Sequence, residues 1–123
     1  MTRIDRAYVA VALALLVIGE LLGFYMGMTS NMKLRTVHIA IVLNGFVTLS
    51  LFGFAYRLWP AMKTAKLAAA QFWLSVVGVL GIAAGTYQYV TTGGIAIVAP
   101  ASALLIAGSI LLLWLFWTRS DAA

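Results

Sequence analysis

Cysteine is absent from the 123-residue chain, so disulfides, thiolate nucleophiles, iron–sulfur clusters and zinc–cysteine sites are excluded. Charge is nearly as scarce. Eight lysines and arginines and three acidic residues make up 9% of the sequence, and His38 is the single histidine. No serine–histidine–aspartate set, phosphate loop or metalloprotease motif is present, so a hydrolase or nucleotide-driven enzyme has no support. Proline occurs only at Pro60, which ends an apolar run, and at Pro100, near the start of the last one.

What the chain has in abundance is apolar residues, 64% of the total, which puts it in the membrane class. Its length suits one domain of about four spans of ~20 residues, each long enough for a ~30 Å hydrocarbon core, and leaves no room for a soluble domain beside them. The net charge of +5 suggests a nucleic-acid partner only until its distribution is considered. The lysines and arginines lie at span ends, as topology determinants do, so the bilayer is the expected partner and nucleic acid is not.

The four spans are expected at about 7–28, 34–58, 65–89 and 98–118. Arg3 and Arg6 precede the first apolar run as in a signal peptide, but the run is too long for one and is interrupted by Glu20. It reads as a retained first helix. Pro60 stops the second span, Ala61 to Lys66 forms a short basic turn, and Gly93-Gly94 marks the next turn. Pro100 is tolerated in the first turn of the last helix. Short connections make neighbouring helices antiparallel, so the expected fold is all-α, an integral membrane four-helix up-down bundle.

Arg3, Arg6, Arg57, Lys63, Lys66 and Arg119 gather at the end that holds both termini, against Lys33 and Arg35 at the other. The positive-inside bias puts both termini in the cytoplasm, and the expected location is a bacterial inner membrane. Trp59, Trp114 and Trp117 near the inner boundary and Tyr25, Tyr87 and Tyr89 near the outer one agree as interfacial anchors.

Polar residues within the spans are the candidates for function, because each costs free energy unless it finds a partner. Glu20 and Asn44 come out at nearly the same depth on antiparallel helices and are expected to meet. Such a pair either holds the helices in register or handles a proton or ion. Gln71 and Ser75, at i and i+4, extend such a network. Gly19, Gly23 and Gly27 on the first helix and Gly78, Gly81 and Gly85 on the third make flat stripes for close helix packing.

His38 has three readings: an interior histidine bonded to a carbonyl, a haem ligand, and a copper ligand. For copper, Met26, Met28 and Met32 would supply the soft thioethers that suit Cu(I). Methionine is also an ordinary filler of apolar gaps.

The runs Leu34-Arg35-Thr36-Val37-His38, Asn44-Gly45-Phe46, Leu51-Phe52-Gly53 and Tyr56-Arg57-Leu58-Trp59-Pro60, followed by Ala70-Gln71-Phe72-Trp73-Leu74, carry a resemblance. The chain resembles small four-span proteins related to subunit I of haem-copper oxidases and nitric oxide reductases. In that family the histidine at the start of the second span is an axial ligand of low-spin haem b, so the resemblance implies this role for His38, with Met26 or Met28, or a second chain, opposite. The small relatives often read His-x-His-x-Asn-Leu-Leu-Gly-Trp here, whereas this chain has Ala40, Val42 and Phe46 at the second histidine, the asparagine and the tryptophan. The spans that carry the remaining oxidase ligands are also missing, so the chain is not an oxidase by itself.

Three functions follow as expectations. The first is a non-catalytic small subunit of a larger respiratory or electron-transfer membrane complex, or of a homo-oligomer, built to pack. The second is a haem b electron-transfer protein, and the third a copper-handling protein.

Overall fold

The computed structural model describes residues 1–121. Four long helices follow one another: α1 (Ile4–Thr29), α2 (Arg35–Leu58), α3 (Ala68–Thr92) and α4 (Val98–Arg119), each long and apolar enough to cross a membrane. A 3-10 turn, Pro60–Thr64, joins α2 to α3, and there is no strand among the described residues.

Each helix ends for a local reason. Pro60 disfavours helical geometry in the residue before it, and Trp59 accordingly leaves the helix at φ −122°, ψ 75°. Gly93 closes α3 in the left-handed conformation at φ 77°, its N–H donating to the Tyr89 carbonyl at 2.8 Å. Ser30 does the same for α1 at φ 51°. The third helix starts at Ala68, later than the 65 expected, because Ala65 is extended (ψ 139°) after the 3-10 turn.

The second helix departs from the uniform α-helix expected of it. Between its α-helical ends, Arg35–Ala40 and Leu49–Leu58, the residues Ile41–Thr48 are π-helical. Thr48 Oγ1 donates to the Leu43 carbonyl five residues back, at 3.1 Å. The buried seam of α2 runs Val37, Ile41, Gly45, Leu49, Gly53, a spacing of four residues. Ile41, Gly45 and Gly53 of this series meet α1; a straight α-helix with 3.6 residues per turn would rotate a four-residue spacing off one line, and the wider i→i+5 turn counters that rotation.

Glycine sets the closest helix approaches. A Cβ at Gly78 would lie 2.7 Å from the Leu105 amide nitrogen, one at Gly81 would lie 2.6 Å from Ala101 Cβ, and one at Gly85 would collide with the Val98 backbone. The α3 stripe therefore seats α4, and Gly108 of α4 answers it by receiving Ser75. On α1, Gly19 packs against Val42 and Gly23 against the His38 ring, whereas Gly27, expected to continue that stripe, has nothing within 4 Å. The stripe ends there because each four-residue step turns about 40° on a 3.6-residue helix, which carries Gly27 about 80° away from Gly19 while Met26 beside it stays buried.

The packing makes opposite forecasts for two glycines that look alike in sequence. Gly78→Ala should destabilise the bundle by about 1–3 kcal/mol, because the obstructing atoms are backbone and cannot rotate away. Gly27→Ala should be neutral or stabilising by up to about 1 kcal/mol through helix propensity alone. Unfolding midpoints of the two variants in one detergent check the contrast.

Candidate functional site

The polar side chains form two separate groups, one at each end of the bundle. At the end holding the N-terminus, Gln71 of α3 is fully buried and uses its whole hydrogen-bonding capacity. Its Oε1 accepts from Tyr8 Oη of α1 at 2.6 Å and from Tyr56 Oη of α2 at 3.0 Å. Its Nε2 donates to Ser75 Oγ at 3.1 Å and to the Gly108 carbonyl of α4 at 3.0 Å. Ser75 Oγ in turn donates to the Gln71 carbonyl at 2.9 Å. One amide thus joins all four helices. The Tyr8 ring packs edge-on against Phe72 at 4.8 Å and Phe52 at 5.9 Å and stacks on Tyr56 at 6.0 Å, which seals the network from above and below.

Gln71 and Ser75 do pair as their spacing suggests, but they extend no network from Glu20 and Asn44, which lie toward the opposite end of the helices. Sequence reasoning passed over Tyr8 and Tyr56. A depth count would have found them, since Tyr8 stands four residues into α1, Tyr56 two residues from the end of α2, and Gln71 three residues into α3.

Asp5 was missed too. Its carboxylate is buried at 5% exposure and accepts from Lys63 Nζ at 3.1 Å and Arg57 Nη1 at 3.3 Å. This clasp ties the start of α1 to the end of α2 and to the turn that follows. The acidic residue in the first turn of α1 also faces the favourable end of the helix dipole.

Toward the other end, His38 is half-buried in the first turns of α2, against α1. Its Nδ1 is 2.8 Å from the Gly19 carbonyl. A carbonyl only accepts, so Nδ1 carries the proton, and in the neutral ring Nε2 keeps its lone pair. The missing Cβ of Gly23 makes the room, since one built there would come within 3.0 Å of the His38 ring. Among the described residues Nε2 has no hydrogen-bond partner, and no buried side-chain nitrogen or oxygen is left unpaired, so Nε2 reaches the surface of the bundle. An Nδ1–H held by a backbone carbonyl with an open Nε2 is the arrangement of a metal-ligating histidine. It is equally that of an interior histidine fixing two helices.

The three methionines expected as partners of His38 differ in placement. Met26 is buried while Met28 is 72% exposed, because residues two apart on a helix point to nearly opposite sides. Met32, in the loop, is 57% exposed. Met26 and Met28 therefore face apart on α1, so they do not both turn toward one ion within this chain. Among the described residues there is also no cluster of three His, Cys, Asp or Glu side chains able to hold a metal ion. For haem, one chain offers the imidazole of His38 and no second one.

Glu20 and Asn44 do not meet. No hydrogen bond joins them among the described residues, Asn44 is half-buried, and Glu20 is exposed on the outside of the bundle. Their depths agree but their directions do not. The seam of α1 runs through Ala12, Leu15 and Gly19, which leaves Glu20 one residue, about 100° of helix rotation, past the contact.

The Gln71 network orders a set of substitutions. Gln71→Leu should cost most, about 3 kcal/mol or more, since it takes the acceptor from the buried Tyr56 hydroxyl, leaves Tyr8 Oη only the residue-71 backbone carbonyl at 3.3 Å, and removes the link to α4. Tyr56→Phe should cost about 1 kcal/mol, removing one of two bonds to Oε1. Equal unfolding midpoints for the two variants would contradict the central place of the amide.

Compared with known proteins, the chain matches no family model, no curated protein and no solved structure, so the likeness of its second helix to oxidase subunit I rests on those residues alone.

Proposed function

We propose that the protein is a small integral membrane subunit without catalytic activity of its own, which works inside a larger membrane assembly or homo-oligomer. Glu20 carries this reading. The carboxyl lies about 24 Å from the start of α1 and about 14 Å from its end, within the depth of a hydrocarbon core. It is exposed between Val17, Ile18, Leu21 and Phe24, all at least 50% exposed, and it makes no hydrogen bond or ion pair among the described residues. An ionisable side chain at this depth normally faces a bundle interior or a partner. Nothing among the described residues serves, so a second chain is the source. The open end of the α1 stripe at Gly27 adds a flat surface on the same helix.

The topology belongs to the same proposal. The excess of arginine and lysine at the end with the N-terminus supports cytoplasmic termini in a bacterial inner membrane, with Ser30 outside and Thr64 inside. Single cysteines introduced at those positions should label from opposite sides of sealed vesicles, and labelling from one side would overturn the orientation.

The assembly is tested at Glu20. Glu20→Leu should shift the protein from a larger species to the mass of a single chain on native gels in mild detergent. A wild-type protein that already runs as one chain, and cross-links to nothing in its own membrane, would sink the reading.

One observation favours a second reading, the haem b protein of the resemblance. His38 holds the tautomer that leaves Nε2 to bind iron, and Nε2 lies at the surface, where a group shared between chains would sit. The haem would supply one-electron redox chemistry; His38 would supply one axial ligand, and His38 of another copy or a thioether such as Met26 the other. A Soret band lost in His38→Ala is the expected signature, and colourless protein isolated with its native partners would exclude it.

A further inference from the structure

At the end of the bundle with the N-terminus, a groove of about 790 Å³ runs between α1 and α2 on the outside of their closest crossing. The crossing is set by Gly53, where an added Cβ would stand 3.0 Å from Tyr8 Cβ and 3.1 Å from the Asp5 carbonyl. The groove has two chemically distinct parts. Arg3, Arg6 and Arg57 surround its mouth, while Val9, Ala10, Leu13 and Phe54 continue it along the helices. Leu13 lies seven residues beyond Arg6, about 10 Å deeper at the helical rise.

The cations at the mouth are available to an outside anion. Arg3 and Arg6 are exposed and make no side-chain hydrogen bond or ion pair among the described residues. The one acid nearby, Asp5, is turned inward, and Lys63, itself only 17% exposed, lies on it at 3.1 Å. Arg57 touches Asp5 through Nη1 alone, and its side chain is 75% exposed, leaving most of its donor fork outward. The groove is lined by three cations and the Asp5 carboxylate, and Lys63, outside the lining, neutralises that carboxylate. The groove at the opposite end, about 650 Å³, has Lys33 as its one charged side chain.

We propose that the α1–α2 groove is a binding site for an anionic glycerophospholipid of the leaflet on the N-terminal side, with the headgroup phosphate among Arg3, Arg6 and Arg57 and one acyl chain along Val9, Ala10, Leu13 and Phe54. A free phosphate would use the mouth and leave the apolar track bare. A zwitterionic lipid would use the track but bring a cation among the arginines. Only an amphiphile with net negative charge matches both parts, and basic sites between membrane helices recognise such headgroups. The inference rests on the reading of the chain as an integral membrane protein.

The test is native mass spectrometry of the full chain in micelles containing equal amounts of dioleoylphosphatidylglycerol and dioleoylphosphatidylcholine. Wild type should retain phosphatidylglycerol with a preference of about tenfold or more. Arg3→Gln with Arg6→Gln removes two cations that hold nothing else in the fold. It should weaken binding by roughly thirtyfold and abolish the preference. Ala10→Trp, which fills the track, should lower retention of both lipids, and millimolar inorganic phosphate should displace neither. Equal retention of the two lipids by wild type, an unchanged preference in the double variant, or displacement by phosphate alone would each overturn the site. Those results in a protein that stays with carbonate-washed membranes would leave the integral membrane reading standing, whereas release by carbonate would overturn both.

Discussion

One side-chain amide holds this bundle together. Gln71 is buried among four helices, and it is stable there only because each of its two acceptor and two donor positions is used, by Tyr8, Tyr56, Ser75 and the Gly108 carbonyl. In an apolar surrounding a half-satisfied amide is worse than an alkyl group, since each stranded polar atom costs about 1–3 kcal/mol. The network therefore acts through specificity more than through strength. Sliding any helix by one residue, or rotating it by a third of a turn, would break a bond that nothing else can replace. Helices that are apolar all round have many acceptable packings, and this amide selects one.

The glycines make that selection geometrically possible. Gly78, Gly81 and Gly85 let α4 lie on the backbone of α3, which brings the Gly108 carbonyl within reach of Gln71. Gly53 lets α2 close on Tyr8, and Gly45 receives Leu15. The π-helical stretch Ile41–Thr48 serves the same contact by keeping every fourth residue of α2 on one line. His38 lies in the α-helical turns before this stretch, where its ring sits on the Gly19 carbonyl, and Asn44 lies within it.

The outer surface is less self-sufficient than the interior. Every buried side-chain nitrogen and oxygen among the described residues has a partner, whereas Glu20 and the Nε2 of His38 have none and lie on the outside of the same half of the bundle. Polar groups left without partners on an apolar surface are open to groups from outside the chain. The arginine-rimmed groove at the other end is a third such feature, directed at lipid instead of protein.

The sequence by itself determined the helices and, to within a few residues, their ends: four apolar runs of membrane-spanning length, the stop at Pro60, the turn at Gly93 and the use of glycine in packing. These follow from local properties, namely the hydrogen bonding of the backbone, the fixed geometry of proline and the absence of a glycine side chain, and each can be read within a few residues. It also determined depth, because every residue of a helix advances the chain by the same 1.5 Å. Only the tertiary structure decided rotation. Glu20 and Asn44 have matching depths and face apart, Met26 and Met28 fall on opposite sides of one helix, Gly27 repeats Gly23 in spacing but meets no neighbour, and Tyr8, Tyr56 and Gln71, far apart in the chain, converge. With apolar residues on all sides of each helix, no amphipathic stripe marks the inward face. That face is set by where the glycines of one helix admit the backbone of another, and by which rotation satisfies Gln71 in full.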